Sequence, residues 1–139
     1  MERFELHILA ADRVFYEGAC ESVVVPTVHG QYGIQAHHSN LIAPIVPGSL
    51  EFQPADGARR VAAVSAGMVK VENNQVLVLA DAVERPEDID AVRARREADE
   101  AREAMLQKNS LREYHTAKAA LARAVNRLRV KEQQGLMGK

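Results

Sequence analysis

The segment QVLVLADAVERPEDIDAVRAR, residues 75–95, decides the fold because it joins two stretches of opposite character. Its first part, VLVLA at residues 76–80, is a short apolar run of the kind that forms a buried strand. Its last part, IDAVRA at residues 89–94, opens a charged stretch and places an Asp and an Arg three positions apart. The segment therefore predicts a β-domain over residues 1–85 and a helical domain over residues 86–139.

Residues 3–84 carry the signals of short β-strands. Phe4, Leu6 and Ile8 alternate with polar residues, as a strand with one buried face requires. Asn73-Asn74 separates two runs of alternating valines and predicts a β-hairpin with these residues at its tip.

Three further runs set the expected positions of other strands. Residues 14–16 and 23–25 are predicted as two short strands, since each is a brief β-branched or aromatic run. Residues 76–80 are apolar on both faces, so this strand is expected inside the structure and not on a half-exposed sheet. The spacing of these strands predicts an all-β N-terminal domain, a small sandwich or barrel.

A first helix is predicted after the strands. Pro86 suits its first position, and the acidic residues that follow complement the helix dipole. Mostly small side chains recur at spacings of three and four, which predicts one narrow contact stripe. The stripe consists of Ala91, Ala94, Ala98, Ala101 and Met105.

A second helix is predicted after a break at Lys108-Asn109-Ser110, with Ser110 as N-cap and Gly135 as the end. Because a buried CH2 group contributes only about 0.8 kcal/mol, an alanine-lined contact predicts a weakly docked antiparallel hairpin that can open. The larger side chains expected on the contact line of the second helix are Leu111, Tyr114, Leu121, Val125 and Leu128.

The charge distribution is uneven although the net charge is only −1. Residues 104–139 hold eight basic and two acidic side chains, whereas residues 1–86 hold six basic and ten acidic ones. The basic segment predicts an acidic partner. Apolar runs stay far below the ~20 residues of a membrane helix, no signal peptide is expected, and the lone Cys20 fits a reducing, cytosolic setting.

No catalytic or metal-binding pattern stands out in the sequence. His37 and His38 are adjacent, and adjacent side chains on a strand point to opposite faces, so they are not expected to share a metal with His29 or with each other. The phosphate loop Gly-x-x-x-x-Gly-Lys-Ser/Thr and the nucleophile elbow Gly-x-Ser-x-Gly are both missing. The sequence therefore predicts a non-catalytic protein.

Four segments, taken in order, resemble the ε subunit of the bacterial F-type rotary ATP synthase. Each segment alone is a weak signal, but their order and separation over nearly the whole chain are specific. They are GQYGI with a following histidine at residues 30–38, VSAGMVKV leading to VLVLAD at residues 64–81, IDAVRA at residues 89–94, and LARAVNRLRV at residues 121–130.

The resemblance implies a flattened β-sandwich that contacts the γ subunit and the membrane-embedded c-ring, followed by a mobile helical hairpin. It implies a non-catalytic central-stalk subunit on the cytoplasmic face of the bacterial membrane, attached only through the complex. In an extended state, the hairpin would contact the α and β catalytic subunits and block ATP hydrolysis. The basic residues 104–139 suit an acidic contact on the β subunit.

The resemblance also implies a regulatory ATP site, because the motif Ile89-Asp90-x-x-Arg93-Ala94 matches that of ATP-binding members of the family. Asp90 would accept a hydrogen bond from the adenine amino group, and Arg93 would contact phosphate. Ala94 would leave room for the base. From spacing alone, without the resemblance, Asp90 and Arg93 would be interpreted as an exposed ion pair on one helix face.

Two arginines of the second helix, Arg123 and Arg127, would complete the phosphate site across the hairpin, with Glu84 as a weaker member. Some relatives carry another arginine in the first helix where this chain has Glu100. ATP bridging both helices would stabilise the closed hairpin.

The implied subunit interface lies around Gly30, Gln31, Tyr32 and His38. Gln31 stands where relatives often carry an acid, and Ala36-His37 replaces a common Pro-Gly pair, so the contact with the c-ring differs in detail.

Two other classes of function are weighed against the rotor subunit. A free-standing ATP-sensing regulatory protein would use the same hairpin site without partners, and co-purification distinguishes the two. A nucleic-acid binder would use the basic second helix, but few aromatic residues accompany the charges and the first helix is acidic, so nucleic-acid binding is not expected.

Overall fold

The computed structural model describes residues 2–107 and 110–137. The chain forms two compact units, Met1–Glu84 and Arg85–Lys139. The first is a β-sandwich and the second a pair of helices, so the predicted fold class is confirmed.

Nine strands make up the described part of the first unit, linked in the order β4-β7-β8-β1-β2-β5-β6-β9, with β3 paired to β2. Every pairing is antiparallel except that of β1 with β8. The strands are β1 Phe4–Ala10, β2 Val14–Thr27, β3 Gly30–Gln35, β4 Leu41–Ile45, β5 Gly48–Pro54, β6 Arg60–Val64, β7 Gly67–Glu72, β8 Gln75–Ala80 and β9 Val83–Glu84.

Strand β2 is a single strand of 14 residues, so the prediction of two short strands was wrong. Its first half pairs with β1, and its second half pairs with β3 and β5. The pairing register shifts between Cys20 and Ser22, where a bulge bends a strand without breaking it. The small residues at 18–20 do not form a turn. One continuous strand therefore belongs to both halves of the sandwich.

The core forms from the inward-facing residues of both halves. Phe4, Leu6 and Ile8 are buried, as their alternation predicts. The predicted hairpin between β7 and β8 is confirmed, with Asn73 and Asn74 at φ 51° and 62°. Two consecutive left-handed residues make the type I′ turn that matches strand twist, and asparagine tolerates this conformation well.

Strand β8 alternates in burial, so the prediction that both of its faces are buried was wrong. Val76 and Val78 lie in the core, whereas Leu77 is half-buried and Leu79 is 36% exposed. Only one face of this part of the sheet packs on the core, and the sequence gives no sign of which face is covered.

Gly67 is required by a close approach of two backbones. It lies opposite Ala80, and an added Cβ would sit 1.9 Å from the carbonyl oxygen of Leu79. No side-chain movement relieves a collision with a main-chain atom, so strands β7 and β8 can pair at this point only through glycine.

The helical unit begins with a 3₁₀ turn, Pro86–Asp88, and helix α1 follows as Ala91–Gln107. The prediction that Pro86 starts the main helix was wrong, because Ile89 is extended at φ −87° and ψ 122°. Ile89 is also buried. The predicted alanine stripe is confirmed by the burial of Ala94, Ala98 and Ala101.

Helix α2 spans Leu111–Met137. Ser110 is its N-cap as predicted, since the hydroxyl Oγ accepts a hydrogen bond from the Glu113 N–H at 3.0 Å. The other residues of the predicted break, Lys108 and Asn109, lie outside the described residues. Gly135 does not end the helix, which continues through it.

The predicted contact line of α2 is found in part: Leu111 is exposed, but the other four predicted residues are half-buried. Leu111 is 73% exposed, and the buried positions are Ala117, Ala124 and Val130. Leu111 lies six residues before Ala117, which at 100° per residue places it about 120° away around the helix. The two helices therefore meet through small side chains on both sides.

Candidate functional site

Asp90 is the N-cap residue of α1. Its carboxylate oxygen Oδ1 accepts a hydrogen bond from the backbone N–H of Arg93 at 3.1 Å, and its own carbonyl accepts from the N–H of Ala94 at 2.9 Å. A cap of this kind satisfies one of the donors left free at a helix start. The motif thus has a structural function in addition to any ligand contact.

Arg93 and Arg127, on different helices, meet at one carboxylate. Glu97 accepts a hydrogen bond at Oε1 from Arg93 Nε at 3.1 Å, and its Oε2 lies 3.3 Å from Arg127 Nη1. The Arg127 side chain is 21% exposed and that of Glu97 is 39% exposed. We call this three-residue arrangement the Glu97 bridge. It brings two guanidinium groups to a single anionic group at the contact between the helices.

Small side chains line the helix contact beside the Glu97 bridge. Ala94 and Ala98 of α1 and Ala124 of α2 are almost fully buried. At the start of the unit, Lys131 donates a hydrogen bond from Nζ to the Pro86 carbonyl at 3.0 Å. Ile89, the first residue of the predicted motif, is buried.

The other residues predicted for the ATP site, Arg123 and Glu84, are not members of the Glu97 bridge. Arg123 is exposed on α2, one turn before Arg127. Glu84 is the last residue of β9, paired with Ala63 in the sandwich unit. Glu100, at the position where some relatives carry arginine, is exposed on α1.

Glu97 is the member of the site that the sequence reasoning missed. Its distance of four residues from Arg93 signals a pair along one helix face. Its contact with Arg127 depends on the rotation of α2 relative to α1, which no spacing within one helix reveals.

The four residues predicted as the subunit interface lie on or beside β3 and are partly or fully exposed. Gly30 has φ 104°, a left-handed conformation that favours glycine. Gln31 donates from Nε2 to the Ser49 hydroxyl at 3.2 Å. Tyr32 and His38 contact each other, with the hydroxyl 2.8 Å from Nε2.

The tautomer of His38 follows from its two contacts. Its Nδ1 lies 2.7 Å from the Ser39 carbonyl, which can only accept, so Nδ1 carries the proton. In the neutral ring Nε2 is then an acceptor, and the Tyr32 hydroxyl donates to it. This chain of hydrogen bonds fixes both rings on the surface.

The neighbouring His37 occupies a turn position. It has φ 64°, its N–H donates to Asn74 Oδ1 at 2.7 Å, and its Nε2 lies 3.6 Å from Glu2 Oε1. The left-handed backbone explains why glycine suits this position in relatives with a Pro-Gly pair. Within residues 2–107 and 110–137, no group of three or more His, Cys, Asp or Glu side chains is arranged to hold a metal ion.

The outer face of β4, β7 and β8 carries exposed apolar side chains. Pro44 lies opposite Met68, and Met68 lies opposite Leu79, so the three form a row on one face. Ile42 is exposed on the same strand as Pro44. Contiguous exposed apolar groups of this kind mark protein contacts more often than isolated ones do.

The pKa values of Cys20, Tyr16 and Arg85 are raised. Burial raises the pKa of the Cys20 thiol and is also the largest cause of the raised pKa of Tyr16. The hydrogen bond from Arg85 to Asp88 raises the pKa of the Arg85 guanidinium. None of the three belongs to the Glu97 bridge.

A search of the described helices finds no segment with the length and apolar character needed to cross a bilayer.

A β-sandwich followed by an α-helical hairpin defines the class of this protein, and comparisons with known proteins give the family. The family model "ATP synthase, Delta/Epsilon chain, beta-sandwich domain" matches residues 3–86, and "ATP synthase, Delta/Epsilon chain, long alpha-helix domain" matches residues 87–132. The chain therefore belongs to the ATP synthase delta/epsilon family.

Bacterial relatives match over almost the full length. The "ATP synthase epsilon chain" of Caldicellulosiruptor bescii is 41% identical, with 96% of each chain covered. That of Shouchella clausii is 38% identical, covering 97% of this chain and 99% of the relative.

A solved structure with the same fold is a chain of the Euglena gracilis mitochondrial ATP synthase. It has a TM-score of 0.81 at 19% identity, covering 96% of this chain and 81% of that one.

Proposed function

We propose that this chain is a non-catalytic rotor subunit of an F-type ATP synthase. Both family domains are present in order over residues 3–132, and the bacterial relatives are named epsilon chains. Its partners would be the γ subunit, the c-ring and the α and β catalytic subunits. The chain would be a peripheral protein on the cytoplasmic face of the bacterial membrane, held there through the complex.

The sandwich unit would provide the permanent contacts of the rotor. We assign the apolar row of Pro44, Met68 and Leu79 to the γ subunit, because an apolar surface excludes water best against another protein. The exposed group of Gln31, Tyr32 and His38 is assigned to the polar surface of the c-ring.

The helical unit would regulate ATP hydrolysis in response to ATP. The observation that carries this part is the convergence of Arg93 and Arg127 on one carboxylate. Two guanidinium groups held close by two helices form a site for a phosphate chain, because phosphate oxygens accept the same forked hydrogen bonds as a carboxylate. Arg123, one turn away, would extend the site.

ATP bound at this site would favour the closed hairpin. A ligand at a hundred times its dissociation constant adds about 2.7 kcal/mol to the state that binds it. The alanine-lined contact is stabilised by little buried apolar area, so a shift of this size is enough to decide between closed and open states. At low ATP the open hairpin, with its basic second helix, would bind the catalytic subunits and inhibit hydrolysis.

Calorimetric titration of the full chain with ATP tests the nucleotide site. We expect Arg93→Ala and Arg127→Ala to lose most binding, and Arg95→Ala, an exposed arginine of the same helix, to retain it. Equal binding by all three variants would refute the site.

Assembly with the other subunits tests the remaining function. We expect Met68→Glu to reduce co-purification with γ, and ATP hydrolysis by the assembled complex to rise when residues 86–139 are deleted. Normal assembly of the Met68 variant would exclude the apolar row as the γ contact. Unchanged hydrolysis after the deletion would exclude inhibition by the hairpin.

A further inference from the structure

Glu97 joins the two helices at the point where a nucleotide phosphate would have to bind. Its two carboxylate oxygens contact arginines of different helices, at 3.1 Å to Arg93 and 3.3 Å to Arg127. We propose that Glu97 is a resident anion that holds the hairpin closed without nucleotide and that a phosphate group must displace. This inference rests on the proposed nucleotide site.

A carboxylate and a phosphate make the same type of contact with a guanidinium group. Each presents two or more acceptor oxygens that fit the fork of arginine donors. In the closed hairpin Glu97 already uses the donors Arg93 Nε and Arg127 Nη1. A phosphate that takes these donors has to remove Glu97 from them, because two anions cannot share the donors without repulsion.

The bridge differs from the ordinary ion pairs on the surface of α1. Asp99 and Arg102 pair within one helix at 3.2 Å, and their side chains are 69% and 56% exposed. Glu97 instead connects α1 to α2 through Arg127, which is mostly buried. Arg93 is itself 70% exposed, so the contact that partial burial shields from solvent, and that contributes more than an exposed pair does, is the one between Glu97 and Arg127.

Two opposite consequences follow for a nucleotide. The bridge keeps the two helices together and so preserves a formed site. It also occupies that site, so displacement of Glu97 subtracts from the binding free energy of ATP. The hairpin would then stay closed at lower ATP concentrations than the alanine contact alone would allow. The chain would also bind ATP more weakly than a chain with a neutral residue at position 97.

The test compares Glu97→Gln with Asp99→Asn in the full chain. Both changes remove one negative charge and one contact within α1, but only the first removes a contact between helices. The closed-to-open ratio is measured without nucleotide by electron paramagnetic resonance distances between spin labels at Val92→Cys and Arg129→Cys, two exposed positions on α1 and α2. ATP affinity is measured by calorimetry on the unlabelled chains.

We expect Glu97→Gln to lower the closed-to-open ratio at least three-fold, and Asp99→Asn to leave it unchanged within two-fold. The intrinsic ATP dissociation constant is the measured one multiplied by the closed fraction. We expect Glu97→Gln to lower this intrinsic dissociation constant about three- to ten-fold, which corresponds to roughly 0.6 to 1.4 kcal/mol of binding free energy. An unchanged closed-to-open ratio or an unimproved intrinsic affinity would overturn the proposal.

The proposed nucleotide function fails in a different way. If neither the wild-type chain nor Glu97→Gln binds millimolar ATP, the nucleotide site and the displacement of Glu97 are both refuted. The closed-to-open ratio, measured without any nucleotide, still decides whether Glu97 holds the helices together.

Discussion

The side chain of Asp90 is bonded to the backbone of Arg93 and not to its guanidinium group. The carboxylate oxygen Oδ1 of Asp90 accepts from the Arg93 N–H at 3.1 Å, while the Arg93 guanidinium extends to Glu97. The spacing of three therefore serves the start of helix α1. An acidic residue at this position caps the helix whether or not a nucleotide is bound.

Replacing Asp90 is expected to affect stability as well as ATP binding. Asp90→Ala removes the cap and is expected to lower the stability of the helical unit by about 1 kcal/mol without nucleotide. Loss of ATP binding in this variant alone would not identify a contact with adenine. Urea unfolding followed by circular dichroism at the helical band measures the change.

Asp90→Ser separates the two functions, because serine caps as well as aspartate but is shorter and uncharged. We expect its stability to stay within a few tenths of a kcal/mol of the wild type. If the carboxylate contacts adenine, ATP affinity falls in both variants. ATP affinity that is normal in Asp90→Ser and reduced only in Asp90→Ala would show that the residue acts through the cap.

The helix contact is expected to tolerate no larger residue. Ala98 is buried between the helices, so Ala98→Leu has to separate them and should destabilise the closed hairpin by roughly 1–3 kcal/mol. Ala104→Leu, on the exposed side of the same helix, should stay within about 0.5 kcal/mol. Spin-label distances across the hairpin report the difference, and equal distances in both variants would contradict the alanine contact.

Local signals in the sequence predicted much of this structure. The asparagine pair at 73–74 and the serine at 110 each fix a turn or a cap through their own chemistry, and both predictions are confirmed. The burial of Phe4, Leu6 and Ile8 in β1 follows from simple alternation.

What could not be predicted depends on contacts between elements. Leu111 looks like a contact residue by its type, but the helix phase set by Ala117 turns it outward. Leu79 is apolar yet exposed, and its residue type gives no sign of this. Glu97 belongs to the site only because α2 brings Arg127 to it, and no pattern within α1 encodes that contact.

The contact between Tyr32 and His38 fixes the position of a proton. With Nδ1 donating to the Ser39 carbonyl, the neutral ring of His38 should carry its proton on Nδ1. Nitrogen-15 chemical shifts of the ring report the tautomer. Tyr32→Phe removes the donor to Nε2 but leaves the Ser39 carbonyl in place, so the ring should keep its proton on Nδ1 while water donates to Nε2. A ring protonated on Nε2 in the wild-type chain would contradict the geometry.

Gly67→Ala is expected to destabilise the sandwich by more than about 3 kcal/mol, which is a severe case of core overpacking. The reason is that the added Cβ meets the Leu79 carbonyl oxygen at 1.9 Å. Gly33→Ala is the matched control, as no atom lies within 4 Å of its added Cβ, and it should change stability by less than about 1 kcal/mol. Urea unfolding compares the two. Similar urea midpoints for the two variants would mean that β7 and β8 can move apart around the added Cβ with little loss of stability.

The stability of the sandwich should fall at high pH through Cys20. Burial raises the pKa of this thiol, so its contribution is fully present below the ordinary thiol value of about 8.5 and is lost as pH rises towards the folded value. Cys20→Ala has no such group. We expect this variant to be about 1 kcal/mol less stable than the wild type at neutral pH. The difference in stability should narrow at a pH of about 9.5. Tyr16, whose pKa is also raised, is still protonated at that pH. Urea unfolding of both chains at the two pH values measures this, and a difference that does not narrow would show that the thiol does not govern the alkaline loss of stability.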